Sequence, residues 1–466
     1  MTSGTSGPDK DGGAPHLERR FGLLGATALN MANMVGVGPF ITIPGLTAAM
    51  GGPQCLLGWI VGAVIVISDG FVWSELGANI PGSGGSYHFL RESYGRDRWG
   101  RLMAFLFIWQ FVVSGPFEIG SGLIGFGQYS GYVWSGLGPW GEHGVAVLSG
   151  LAAMVLLSRG SKFMSRATIT LWVGTVVAML AVLVCGIPHF DSGKAFAFTP
   201  DAFTFSRGFV LGLGSASLTA VYNYMGYYNI CYVGDEVRDP ARVIPRSIFI
   251  SIAFCALCYI GIHLVVLGVL PIKQIIASQH VIAEFIEGLY GRGPALLVTL
   301  LILWTAFASV FALLLGYSRI PYAAALDGCF FRAFGRVHPT RHFPDISLYV
   351  LGAASILAAF LPLDFAIAAL LTTRIIVQFL GQILGVTLLR RRLPDAQRPY
   401  KMFLYPLPGV VAAIGWAYIF AASGGYAIAT GVSCLLAGLV AFSLWARRTR
   451  TWPFGVPVSA SEPGQV

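Results

Sequence analysis

The sequence predicts an all-α integral membrane protein of 12 transmembrane helices, built as a five-plus-five inverted repeat in which helices 1 and 6 are broken. Three observations carry this expectation. The chain of 466 residues is 55% hydrophobic and 11% charged, with a mean hydropathy of +0.71, where a soluble domain carries roughly 25% charged residues. Apolar runs of about 20 residues, the length that crosses a bilayer, recur along the whole chain. Two of these runs are interrupted by residues that end a helix more readily than they extend it.

The runs fall at 21–50, 54–80, 99–133, 143–158, 166–188, 205–234, 244–270, 294–322, 346–361, 363–389, 404–422 and 425–446. The first and sixth are long because each contains an unwound stretch, and the third is long enough to tilt. Lysine and arginine then set the orientation. Of the 30 basic residues, 25 lie in the termini and alternate connections on one side; the other side holds Lys194, Arg207, Lys273 and Arg292, and Arg374 lies within a run. Such asymmetry places both termini in the cytoplasm and requires an even number of crossings. The formal net charge of +9 is thereby a consequence of topology, and nucleic-acid binding is not needed to explain it.

Residues 1–18, rich in Gly, Ser, Pro and charge, read as a disordered cytoplasmic tail. The first apolar segment lacks a small-residue cleavage site, so a signal peptide is not expected. The 7 cysteines are odd in number and lie mostly within apolar runs. Cys255-x-x-Cys258 has no His or Cys at metal-binding spacing, and all are read as packing residues. No metal site, cofactor or enzymatic constellation is expected, because paired catalytic carboxylates and a nucleophile with its base are both missing from the pattern.

The first interruption reads Asn33-Met34-Val35-Gly36-Val37-Gly38-Pro39-Phe40. Pro39 has no N–H to give and biases Gly38 away from the α region, and Gly36 weakens a helix while accepting unusual backbone angles. A helix cut here exposes carbonyls at the end of its first half and N–H groups at the start of its second. Non-helical backbone at membrane depth is tolerated where it lines a cavity or is buried in protein, so the cut points to a polar ligand site. The second interruption, Tyr222-Asn223-Tyr224-Met225-Gly226-Tyr227-Tyr228-Asn229, has no proline. By composition it reads equally as an aromatic helix face. Its position decides the reading, since five runs separate the two and an odd repeat length forces two units into opposite orientations. The chain then divides into a first repeat at 19–200, a second at 201–393, two further helices at 394–447 and a cytoplasmic C-terminal tail at 448–466. Broken helices opening each repeat meet at the midplane, the architecture of a secondary transporter. In the connections, Tyr87–Tyr94 is amphipathic and expected along the cytoplasmic surface. Residues 272–290 fit an interfacial outer helix or an ordinary solvated cap.

Several motifs in order carry a resemblance: Gly36-Val37-Gly38-Pro39-Phe40; Ser74-Glu75-Leu76-Gly77 with Pro81-Gly82-Ser83-Gly84-Gly85-Ser86-Tyr87; Tyr224-Met225-Gly226-Tyr227 leading to Asp235-Glu236-Val237-Arg238-Asp239-Pro240 and Ile244-Pro245-Arg246; and Leu389-Arg390-Arg391 with Arg398-Pro399-Tyr400-Lys401. From about residue 20 to 445 the chain resembles the amino acid–polyamine–organocation superfamily of permeases. The resemblance implies twelve helices with the last two peripheral, a small-molecule substrate and a lipid bilayer, and it leaves oligomeric state open. It also implies a site in which N–H groups around Gly36, Val37 and Gly38 receive a carboxylate. Carbonyls near Tyr222, Asn223 and Tyr224 would receive an ammonium, Gly226 would keep the space open, and the Tyr222 ring would close over it. Many relatives place Ser between the two glycines, where Val37 offers only its backbone.

Ionisable groups inside apolar runs suggest function. Glu118 reads as a cation ligand, a proton carrier or the partner of Arg374. Arg374, Gln378 and Gln382 are spaced to share one helix face, and a Glu118–Arg374 pair without a transport role is an equal alternative. Asp69 reads as a proton carrier or as a residue hydrogen-bonded to nearby backbone, and His263 as a satisfied core residue. Gly120, Gly122, Gly125, Gly127 and Gly131 read as close helix packing. For coupling, the family's fifth-helix lysine has no counterpart in Thr170–Thr175, Thr305 and Ser309 are the candidate hydroxyls of a sodium site, and proton symport is expected ahead of exchange. An amino acid permease is the expected function, polyamine uptake the alternative, and a membrane enzyme or sensor a remote third.

Overall fold

Helices occupy all 12 predicted segments, and among the described residues nine are long and apolar enough to cross a membrane. The computed structural model describes residues 19–455 apart from 20, 83, 160, 340 and 342, with the backbone alone at 161–169. Residues 1–18 and 456–466, and with them most of both expected tails, lie outside the described residues, as does Ser83.

The first segment is divided into α1 (Leu23–Met34), α2 (Gly38–Ile41) and α3 (Ile43–Met50). There follow α4 (Leu56–Asn79), the short amphipathic α5 (Ser86–Tyr94), α6 (Trp99–Val133), α7 (Gly138–Leu157), α8 (Ser161–Gly186) and α9 (Arg207–Tyr224). The second half holds α10 (Pro240–Val269), α11 (Val281–Tyr290), α12 (Arg292–Tyr317), α13 (Asp345–Ala358), α14 (Leu363–Arg374), α15 (Gly381–Arg392), α16 (Leu407–Ala422) and α17 (Gly425–Arg448). No strand occurs among the described residues; a bridge pairs Phe21 with Val237 and ties the start of α1 to the chain after the second break.

Two segments depart from the sequence reading. The sixth, read as interrupted at Tyr222–Asn229 within 205–234, leaves the α-helix at Tyr224, but past the interruption only single turns of 3₁₀ helix follow, at Asn229–Tyr232 and Gly234–Glu236. The tenth contains a π-helical stretch, Ile375–Leu380, directly after Arg374. Its wider turn replaces the regular spacing assumed for Arg374, Gln378 and Gln382, although all three side chains are buried; such insertions concentrate at functional sites.

The third segment stays one helix of 35 residues despite Pro116, and its glycines let neighbours approach. A methyl group at Gly120 would lie 2.8 Å from Ala358 Cβ, and one at Gly125 would lie 2.6 Å from Val37 Cγ1. Small residues at such crossings replace the hydrophobic driving force that helices lack inside a bilayer. The Gly125 contact holds the residue between the two glycines of the first break.

Away from the breaks, α4 and α15 are bolted together. The Arg390 guanidinium donates to both Glu75 oxygens at 2.7 and 2.6 Å, and the backbone N–H of Met402 donates to the same carboxylate at 2.8 Å. Arg390 also lies over the Tyr405 ring at 3.8 Å. Removing one member of a buried pair costs about 3–5 kcal/mol. Because Arg390 is 21% exposed and Glu75 only 3%, Arg390→Ala is expected to cost slightly less, about 2–3 kcal/mol. Denaturation of the detergent-solubilised protein measures the loss, and Arg390→Lys, which cannot form the two-pronged contact, should recover only part of it.

Candidate functional site

The first break spans three residues. The Val35 N–H reaches back to Met31 O at 2.8 Å and Gly36 N–H to Met34 O at 3.2 Å, after which regular bonding stops. Bonding resumes with Phe40 and Ile41 donating to Val37 O at 3.0 and 3.3 Å, and Pro39 stands in the first turn, where its missing N–H costs nothing. Among the described residues, the N–H groups of Val37 and Gly38 have no backbone acceptor. Thr42 continues the turn into α3 and folds its hydroxyl onto Gly38 O at 2.9 Å.

The second break sits against the first. Gly226 has φ +105°, a region that favours glycine, and a methyl group there would lie 3.0 Å from the backbone of Asn33 and Met34. The two interruptions brace each other. Tyr259 of α10 donates its hydroxyl to Met34 O at 2.8 Å, Ile230 N–H donates to Asn30 Oδ1 at 2.9 Å, and Asn223 Nδ2 donates to Thr42 Oγ1 at 2.9 Å. Asn223 Nδ2 also donates to Thr219 O at 2.8 Å. A carbonyl partner accepts only from a donor, which fixes the amide orientation and turns Asn223 Oδ1 toward Gly38, 2.2 Å from where a methyl group would sit.

Between the breaks lies a cavity of about 30 Å³ lined by Asn33, Gly36, Val37, Gly38, Glu118, Gly122, Tyr222, Asn223, Met225 and Ser309, among others. It has room for about one water molecule. Its polar groups are of two kinds. The unpaired N–H groups of Val37 and Gly38 form a donor edge; Asn33 Oδ1 and Asn223 Oδ1, both buried without a hydrogen-bond partner among the described residues, form an acceptor edge. The carbonyls of Asn223 and Tyr224 likewise receive no hydrogen bond there. The Tyr222 ring covers Gly38, and its hydroxyl is 2.7 Å from Ser121 Oγ on α6.

Glu118 supplies the single formal charge on the cavity wall, and it is paired. Its Oε2 accepts from the Tyr317 hydroxyl at 2.7 Å and lies 2.7 Å from the Arg374 guanidinium. Arg374 Nε donates to Ser114 Oγ at 2.9 Å, and the guanidinium is 5.6 Å from the rings of Phe111 and Tyr317. From Ser114 the polar contacts continue through Gln110 to Gln378, so Gln378 and Arg374 belong to the wall behind Glu118 and not to the cavity itself.

A family model described as "Amino acid permease" matches residues 21–453. The chain belongs to the amino acid permease family. It is 24% identical to the serine/threonine exchanger SteT of Bacillus subtilis over 91% of this chain and 94% of that one. It is also 24% identical to the branched-chain amino acid permease BcaP of the same organism, over 94% and 95%. The large neutral amino acids transporter small subunit 2 of Mus musculus is 27% identical over 90% of this chain and 78% of its own. The family is one of membrane transporters, and enzymatic activity has no place in this permease.

Of the residues singled out in the permease sequence, the fold gathers Gly36, Val37, Gly38, Tyr222, Asn223, Glu118 and Ser309 around one space. Gly226 lies immediately behind it. The Tyr224 side chain points elsewhere, edge-on to Trp59 with ring centres 5.7 Å apart, so only its backbone belongs to the break. Ser309 is close enough to Gly36 that a methyl group there would meet its hydroxyl at 2.8 Å, while the Thr305 hydroxyl turns to Leu301 O on its own helix at 2.8 Å. His263 accepts from Trp59 at Nδ1 (2.9 Å) and meets Thr47 at Nε2 (3.0 Å), a saturated core residue. Asn33, Asn30 and Tyr259 are not anticipated from the sequence; two asparagines in the last turns of α1, just before the unwound stretch, are the signal that could have pointed to the first two.

The Glu118–Arg374 pair yields a double-mutant cycle. Glu118→Ala and Arg374→Ala are each expected to destabilise the permease by about 3–5 kcal/mol. The double variant should fall short of their sum by at least about 1 kcal/mol, read from unfolding midpoints in detergent.

Proposed function

We propose that this permease is a secondary active transporter that moves neutral amino acids across the cytoplasmic membrane by alternating access, coupled to protons or working as an exchanger. The reading takes the helices as twelve spans in two inverted five-helix repeats with a peripheral pair, and both termini as cytoplasmic. The observation that carries it is the two-edged cavity: unpaired N–H groups of Val37 and Gly38 on one edge, unpaired amide oxygens of Asn33 and Asn223 on the other. A carboxylate and an ammonium one carbon apart would satisfy both edges, and no unpaired formal charge is needed for a ligand whose own charges cancel.

The cavity of about 30 Å³ is too small to hold an amino acid in this conformation. Entry of an amino acid then requires the Tyr222 ring or the breaks themselves to move, which is what alternating access demands. The names of the three relatives refer to serine and threonine, branched-chain and large neutral amino acids, and all of these are zwitterions with uncharged side chains. Polyamine uptake is less well supported: a polycation needs free carboxylates, and Glu118 is held by Arg374. Sodium coupling is the second reading: Ser309 lies against Gly36, and the Thr305 hydroxyl, which donates to Leu301 O, keeps its oxygen lone pairs for a cation.

Ligands that bind only the folded state raise its stability by mass action, about 2.7 kcal/mol at a hundredfold excess over Kd. Thermal unfolding of the purified permease is expected to shift upward with neutral amino acids. Their methyl esters, their deaminated analogues and spermidine should leave it unmoved; a shift with spermidine alone would favour the polyamine reading. Gly38→Ala, whose methyl would displace Asn223 Oδ1, should abolish the ligand-induced shift and uptake into proteoliposomes, and should lower the stability of the unliganded, still folded protein by about 1–3 kcal/mol.

A further inference from the structure

Among the described residues, three of the four buried acids have a cation. Glu75 has Arg390, Glu118 has Arg374 and Asp345 has Arg336. Asp69, wholly buried in α4, has none. Its Oδ2 accepts from the indole N–H of Trp73 at 2.9 Å and from the hydroxyl of Tyr227, and its Oδ1 has no partner. From α16, Trp416 faces the carboxyl with an indole N–H that is also unpaired. From α10, Ile248 and Ile252 pack on the adjacent Gly70. Beyond Tyr227 stand Tyr228, stacked on Trp73 at 4.3 Å, and Tyr232. The buried guanidinium of Arg374 is committed to Glu118.

A lone carboxylate in a low-dielectric interior is stable as an anion only to the extent that donors surround it. Here one of the two donors is Tyr227, the residue immediately after Gly226, and so part of the second break. We propose that Asp69 is the proton-binding site that couples the transport cycle to a proton gradient, with Tyr227 as the residue that links its occupancy to the shape of the second break. The inference rests on the transport reading above. With Tyr227 docked, the carboxylate holds its charge. When the break moves and the hydroxyl leaves, the carboxylate takes a proton from water on the side then open, and it releases that proton to the other side when Tyr227 returns. The only bond made or broken is one O–H, and a neutral amino acid carried with it moves one positive charge per cycle. Because proton binding and Tyr227 docking oppose each other, each shifts the other's equilibrium by the same factor.

The test uses the full chain in proteoliposomes preloaded or not with amino acid. Wild-type uptake should be stimulated by an acidic exterior. Asp69→Asn, a permanent mimic of the protonated acid, should lose that stimulation entirely while still exchanging internal for external amino acid at a rate comparable to wild type. Tyr227→Phe removes a donor that favours the anion, so its uptake should keep the stimulation with a midpoint moved to higher pH. Stimulation that survives in Asp69→Asn, a wild type indifferent to the gradient, loss of exchange together with stimulation, or an unmoved midpoint in Tyr227→Phe would each overturn the assignment. A wild type that neither exchanges nor accumulates any amino acid would instead overturn the transport reading itself.

Discussion

Buried peptide groups must find hydrogen-bond partners, and a helix that stops inside the protein leaves several without them. Everything around the two breaks follows from that constraint. Each interruption is made tolerable by side chains from elsewhere: Asn30 accepts from the chain after the second break, Tyr259 donates to the end of α1, and Asn223 clips α9 to Thr42. What the bracing leaves unpaired is as informative as what it satisfies. The remaining donors and acceptors line one cavity, so the fold stores an unmet demand for a ligand with a donor end and an acceptor end.

The same logic explains why the charges are arranged as they are. A free carboxylate beside that cavity would attract cations indiscriminately and would be costly to bury. Glu118 is neutralised by Arg374, which in turn is walled by Phe111 and Tyr317 and anchored to Ser114. The π-helical stretch that begins just after Arg374 widens the helix where this guanidinium must reach across to α6. Charge is thus kept behind the site, and recognition falls to neutral peptide and amide groups that can be exposed and covered again without stranding an ion.

Much of this was legible in the sequence. Apolar length located the twelve long helical segments, and Gly36, Gly38 and Pro39 marked the first break because glycine and proline have backbone properties that no other residue supplies. The second break was harder to read. Its aromatic residues suit a helix face as well as a turn, and only Gly226, whose positive φ lies against Asn33, enforces it. The π-helical stretch left no trace, since Ile375–Leu380 is ordinary apolar helix by composition. The roles of Asn30, Asn33 and Tyr259 depend on contacts between residues some two hundred positions apart, or on which side of a helix faces a neighbour, and periodicity alone does not report these.

The central claim is that the peptide N–H groups of the first break are the ligand's anchor. Amide hydrogen exchange followed by mass spectrometry tests it directly, because Val37 and Gly38 have no acceptor among the described residues of the unliganded protein and should exchange fast. Saturating neutral amino acid is expected to slow exchange in peptides covering residues 35–38 and 225–228 well beyond the rest of the chain. Protection confined to other segments, with these two unchanged, would contradict the account.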